Sequence, residues 1–126
     1  MTELIFKKES YEIVGACMEV HNQLGPGFLE SVYQEALSRE FDERNITFLQ
    51  QWGIDVYYKG EKLEKKFFAD FICYGEIIIE IKAMEGFVPE HEAQLINYLK
   101  ATQKPLGLLV NCGVEKLQYR RFANTK

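Results

Sequence analysis

Asp70, Glu80 and Lys82 are the residues of this chain whose types and spacing could do chemistry together. They lie in Phe67-Phe-Ala-Asp-Phe-Ile-Cys-Tyr-Gly-Glu-Ile-Ile-Ile-Glu-Ile-Lys82, an aromatic and β-branched stretch that predicts two strands, Phe67 to Tyr74 and Glu76 to Lys82, turning at Gly75. Side chains alternate faces along a strand, so Phe67, Ala69, Phe71 and Cys73 are expected to share one apolar face and Ile77, Ile79 and Ile81 another. A three-residue turn, Tyr74-Gly75-Glu76, points both faces the same way and sets Asp70 opposite Glu80, with Cα atoms about 4.5 to 5.5 Å apart. Lys82 then stands one pleat along. A turn one residue shorter would send the carboxylates to opposite faces. Two like charges side by side in a sheet repel, and a cation between them removes the repulsion. Hard divalent cations take carboxylate oxygens, lower the pKa of a bound water and stabilise charge on a phosphate. Read on these three residues alone, an ordinary surface ion pair of Lys82 with either acid is the alternative.

Other elements must hold that pair in place. Ile13, Val14, Cys17, Val20 and Leu24 recur at three- and four-residue steps, predicting an amphipathic helix over Glu9 to Leu24 that Gly25-Pro26-Gly27 ends. A second helix is expected from Phe28 to about Arg44. Phe48 to Tyr58 reads as a strand closed by a Lys59-Gly60 turn. Glu90 to Thr102 follows Pro89 as a third helix. Leu106 to Val110 and Lys116 to Phe122 read as strands. The fold class is α/β: a central mixed sheet with helices packed on it.

Length and composition set the frame. The 126 residues make one ordinary domain, 1–126, and 47% hydrophobic content with nine Phe and seven Tyr supplies a core and argues against disorder. No apolar run approaches the roughly 18 to 20 residues of a membrane span, so no membrane partner is expected. The segment Met1 to Lys8 has no basic region followed by an apolar stretch, unlike a secretory signal. Cys17, Cys73 and Cys112 are odd in number, lack zinc-knuckle spacing and have apolar neighbours; they read as buried, reduced thiols and a cytoplasmic setting. The net charge of −4 counsels caution about nucleic acid, although metal-binding carboxylates push the total negative and charge distribution outweighs the sum.

The spacing from Asp70 to Glu80-Ile81-Lys82 resembles the signature of the PD-(D/E)XK nuclease superfamily, whose core is restriction-endonuclease-like. Gln94-Leu-Ile-Asn-Tyr98 resembles the Gln-x-x-x-Tyr element of its RecB-like branch. Gly27-Phe-Leu-Glu30-Ser-Val-Tyr33 looks like the motif that names the GxxExxY proteins, and His21-Asn-Gln-Leu-Gly-Pro-Gly and Gly107-Leu-Leu-Val-Asn111 look similar too. Ala69 stands where the superfamily's name has Pro. The resemblance implies Mg²⁺ or Mn²⁺ held by Glu30, Asp70, Glu80 and the Ile81 carbonyl. It makes Lys82 catalytic with Glu80, Asp70 and Gln94, and implies a nucleic-acid substrate, DNA ahead of RNA.

Each residue also has a plainer reading. Glu30 could serve only the dipole of its helix, for about 0.3 to 1 kcal/mol. Tyr33, one turn on, could bond Glu30, touch substrate or pack. Gln94 and Tyr98 share a helix face with His91, and a solvated face is the alternative to a substrate-facing one. His91 reads as a substrate or supporting contact, since no second histidine stands at ligand spacing, and His21 as a packing or capping residue. Arg120 and Arg121 could touch phosphate, and Arg121 is taken as a substrate contact. Three functions follow: a metal-dependent nuclease, a catalytically silent nucleic-acid-binding or adaptor domain, and an accessory protein whose substrate sits on a partner. So small a domain makes a homodimer or larger complex plausible.

Overall fold

Ile77-Ile-Ile79 and Leu106 to Val110 are short, continuously apolar runs, the pattern of strands covered on both faces. The computed structural model, which describes residues 5–124, makes them neighbours at the centre of the sheet. β3 (Ile77–Lys82) and β4 (Leu106–Asn111) pair in parallel, from Ile77↔Leu106 to Lys82↔Asn111. A parallel pair needs a long crossover, which α3 (Pro89–Thr102) supplies. Pro89 opens α3 where its missing N–H costs nothing.

The remaining pairs are antiparallel. β1 (Phe48–Tyr58) turns at Lys59-Gly60 into β2 (Glu61–Cys73), β2 turns into β3, and β5 (Gln118–Ala123) returns along β4. The sheet order is β1-β2-β3-β4-β5. α1 (Lys7–Leu24) and α2 (Glu30–Glu43) cover one face and α3 the other. The expected central mixed sheet flanked by helices is therefore the fold observed. Of the expected domain 1–126, and of the N-terminal segment read as lacking a secretory signal, residues 1–4 and 125–126 lie outside the described residues. No described helix is long and apolar enough to cross a membrane.

Two cores hold the layers together. α1 and α2 bury Ile13, Cys17, Tyr33, Leu37 and Phe41 against Phe71, Ile77, Ile79, Ile81 and Leu108. α3 buries Leu95, Tyr98 and Leu99 against Ile54, Ala69, Ile78 and Leu109. α3 sits close because β4 carries Gly107: a Cβ there would lie 2.9 Å from the Leu95 side chain. All three cysteines are buried, unbridged thiols of the first core. Burial pushes Cys73 and Cys112 up to about 12 and Cys17 above its usual range, so none is a ready nucleophile.

Element ends shift where the sequence pattern is silent. β2 begins at Glu61, six residues ahead of expectation, because Glu61 to Lys66 are exposed and, Leu63 apart, charged, and join the strand by pairing with β1. α2 begins at Glu30, not Phe28, since Gly25 and Gly27 take positive φ, 69° and 112°, and Leu29 is still extended.

One expectation is overturned. Phe67 and Ala69 do not share a face with Phe71 and Cys73: the first two pack with α3, the last two with α1 and α2. The change of face falls at Asp70, opposite Gln51, whose φ is 52°. The strict two-residue alternation on which the expectation rested does not hold through this part of β2.

Tyr33, expected near substrate, is 1% exposed. Its hydroxyl donates to the Gly25 carbonyl at 2.6 Å and accepts the Phe28 N–H at 3.2 Å, which folds the α1–α2 loop onto α2. Tyr33→Phe should lower stability by about 1 to 3 kcal/mol in urea unfolding, because it strips both partners of a part-buried pairing. An unchanged midpoint would show that other contacts hold the loop.

Candidate active site

β2 and β3 pair from Cys73↔Ile77 to Phe71↔Ile79 around the turn Tyr74-Gly75-Glu76. Continued by one step, this register sets Asp70 against Glu80, and there the ladder changes character. The Glu80 carboxylate accepts the Asp70 N–H on Oε2 at 2.8 Å, and the Asp70 carboxylate accepts the Ile81 N–H on Oδ2 at 2.7 Å. Each acid thus serves the other strand's backbone. The bonds satisfy N–H groups that would otherwise be unpaired in a part-buried place.

The cost is electrostatic. Glu80 is 4% exposed. Burial first, and the Asp70 charge second, push its carboxyl up to about 8, with Glu30 adding to the rise. The Asp70 N–H bond and the Lys82 charge pull the other way. Asp70 is raised as well, chiefly by burial and further by Glu30. The Ile81 N–H bond, Lys82 and a hydrogen bond from the Gln34 side chain oppose that rise. Glu30 and Lys82, both expected at the site, therefore lie within electrostatic reach of the Asp70–Glu80 pair.

Tyr98 faces the same pair across α3. Burial, then the charges of Glu80 and Asp70, push its phenol up to about 12, so it stays protonated and can donate. Gln94, one turn earlier, is exposed and shares with Tyr98 the wall of a groove between α3 and the β1–β2 pair. His91 lies half-buried in the first turn of α3, and its Nδ1 is buried without a hydrogen-bond partner among the described residues. His21 packs and caps: it is buried, its ring bonds the Val114 carbonyl at 2.8 Å, and its own carbonyl accepts the Gly25 N–H.

Arg121 is not brought to this group. It pairs with Leu108, whose side chain is in the α1–α2 core, and its guanidinium donates to the Ile5 carbonyl. Neighbouring residues of a strand point to opposite faces, so the α3 face instead receives Arg120. That residue pairs with Glu92 and lies over the Phe87 ring at 5.0 Å.

Two residues escaped the sequence reading. Gln34 stands four residues after Glu30 on α2, accepts a bond from Gln51 at 3.2 Å and bonds Asp70, so it ties α2 and β1 to the acid pair. The i, i+4 spacing from Glu30 was the available signal. Asn111, fully buried at the end of β4, accepts the Met84 N–H at 3.0 Å and the Gly113 N–H at 3.1 Å. It donates to the Met84 carbonyl at 3.0 Å and to the Gln118 side chain at 3.1 Å. The chain just beyond Lys82 is thereby fixed; a Cβ on Gly113 would sit 2.3 Å from the Met84 backbone. A lone Asn ending an apolar strand was its signal.

The donor set is oxygen only, as hard cations prefer, and a cation would relieve the repulsion that raises both acids. Two carboxylates suit an ion that keeps most of its waters. Among the described residues no three His, Cys, Asp or Glu side chains converge closely enough to form a ready cage.

The family model described as the PD-(D/E)XK nuclease superfamily matches residues 7–122. The chain belongs to this superfamily. Its fold is similar to a solved structure titled "Crystal structure of SSO0001", with a TM-score of 0.59 at 19% identity, over 94% of this chain and 59% of that one. It is also similar to an alkaline exonuclease, LHK-Exo, from Laribacter hongkongensis, with a TM-score of 0.53 at 14% identity, over 98% of this chain and 72% of that one. No curated protein matches. PD-(D/E)XK nucleases generally use divalent metals.

Two outcomes are expected. Glu80 rises from 4.5 in the unfolded chain to about 8 in the fold. Between those values the unfolded state has released the proton and the native state keeps it, so metal-free stability falls as pH rises from about 4.5 to 8. Glu80→Gln, which still accepts the Asp70 N–H, should flatten that slope in urea titrations; an equal slope would place the titration elsewhere. Asn111→Leu, which leaves the Met84 and Gly113 backbone groups unpaired, should cost at least about 2 kcal/mol by thermal or urea unfolding.

Proposed function

We propose that this chain is a divalent-metal-dependent nuclease that hydrolyses phosphodiester bonds through a metal-activated water. The single observation that carries the reading is the buried, reciprocally bonded Asp70–Glu80 pair with Lys82 beside it. In this reading residues 1–126 form one nuclease-like domain of the GxxExxY type, in the RecB-like branch. Mg²⁺ or Mn²⁺ would be held by Asp70 and Glu80, with Glu30 and the Ile81 carbonyl as further donors. When bound, the ion would neutralise phosphate charge and make a water more acidic. Supporting this assignment, both acids are destabilised as anions, chiefly by burial and further by neighbouring carboxylates, Asp70 and Glu30 acting on Glu80 and Glu30 on Asp70, and so gain most from a cation.

The chain's own groups divide the remaining work. Lys82 orients the scissile phosphate and stabilises negative charge that builds on its oxygens. Removing a donor aimed at such charge typically costs about 10² to 10³ in rate. Tyr98, kept protonated, donates to the same region, and Gln94 and His91 contact substrate from α3. Asn111 keeps the segment after Lys82 from shifting. Tyr33 and Arg121, given their bonds to the α1–α2 loop and to Ile5, act at a distance from the reacting atoms. DNA is preferred to RNA as substrate in this reading. The setting is cytoplasmic, and a homodimer or larger complex supplies the target-selecting surface that so small a domain lacks.

The second reading is a catalytically silent nucleic-acid-binding or adaptor domain. It is favoured by one observation, that no third ligand converges on the pair among the described residues. Cleavage separates the two. Wild type with Mg²⁺ or Mn²⁺ should cut linear DNA, and Lys82→Ala should lose at least about 10²-fold in kcat. Calorimetry should show metal binding that Asp70→Asn/Glu80→Gln abolishes. Retained nucleic-acid binding with no cleavage under any divalent metal would transfer the case to the adaptor.

A further inference from the structure

The groove between α3 and the β1–β2 pair has a volume of about 680 Å³ and is lined in part by Tyr98, the phenol that the charges of Glu80 and Asp70 reach. Its floor is apolar, made by Ile54, Val56 and Phe67; the Phe67 and Tyr98 rings lie 6.0 Å apart at 46°. Gln94 and Asn97 offer amides on the helical wall, which also carries one cation, Lys100, and, at its N-terminal end, one carboxylate, Glu90.

We propose that the groove is a pocket for one unpaired nucleobase next to the phosphate to be cut, so that the site takes single-stranded or frayed nucleic acid. The inference rests on the nuclease reading for its phosphate and goes beyond it in naming the strand state. The groove's shape and chemistry carry it. A flat aromatic base needs an apolar slot with a ring to lie against, and base–aromatic contact is tolerant of sequence. Side-chain amides meet the hydrogen-bonding edge of a base, which is exposed only when the base is unpaired. Lys100 offers a charge for the neighbouring phosphate. A paired duplex keeps its bases stacked inside and leaves the apolar floor unfilled. Short deoxy and ribo strands are compared to tell which sugar the site takes.

Ala101 is an exposed groove residue on α3, and Ala101→Trp fills the space while leaving Tyr98 and the acid pair intact. Binding is read by fluorescence anisotropy of a labelled ten-nucleotide strand, single or annealed to its complement, without added metal. Wild type should bind the single strand at least about tenfold more tightly than the duplex, and Ala101→Trp should erase most of that preference. Asn97→Ala, at an exposed helix position, serves as the second variant should the Trp protein fail to fold, and should weaken single-strand binding several-fold. Equal binding of single strand and duplex by wild type, or undiminished preference in a folded variant, would overturn the proposal. Because the readout is binding, its failure is separable from that of the nuclease reading. A protein that cuts but ignores Ala101→Trp refutes the pocket alone, and one that prefers single strands but never cuts refutes the nuclease alone.

Discussion

Two hydrogen bonds at the parting of β2 and β3 govern the geometry of everything around them. Asp70 and Glu80 each use one carboxylate oxygen to hold the other strand's backbone. The acids are therefore structural and chemically loaded at once. They are needed to close the sheet where its ladder gives out, and they are held in a place too dry for two negative charges. This is an arrangement in which the protein bears an electrostatic cost that a bound cation would remove. The surrounding elements reinforce it from three sides. α2 brings Glu30 and Gln34, α3 brings Tyr98, and β4 brings Asn111 to pin the chain beyond Lys82.

Much of this was legible because short-range rules decide it. The odd-length turn and the isoleucine pattern set the β2–β3 register, since a slip of one residue would bury charge and expose the core. Glu30 at the start of α2 and the four-residue step from Gln94 to Tyr98 follow from helical spacing alone. The mixed character of the sheet was open to the same reasoning, since a strand entered through a helix can lie parallel to its neighbour, as β4 does to β3.

What was not legible depends on backbone geometry that residue types do not announce. Gln51 takes a left-handed conformation without being glycine, at the level of the sheet where β2 changes face around Asp70. Tyr33 read as part of a motif, yet its hydroxyl is spent on the Gly25 carbonyl, which only the folded loop reveals. Arg120 and Arg121 are indistinguishable by sequence; the phase of β5 alone sends one to α3 and the other to the α1 side. Asn111 shows only as a lone polar residue ending an apolar strand, because its importance lies in four hydrogen bonds to three residues, Met84, Gly113 and Gln118, that the fold brings together.

The Tyr74-Gly75-Glu76 turn has an unusual standing among surface loops. Loop tips of this kind ordinarily absorb added residues at little thermodynamic cost. Here the count is fixed by what lies at the far end of the hairpin, several residues away. One inserted residue would leave the tip comfortable and rotate one strand of the acid pair away from the other. The chain thus carries a short turn whose length matters beyond its own contacts, because that length measures the distance between two charges.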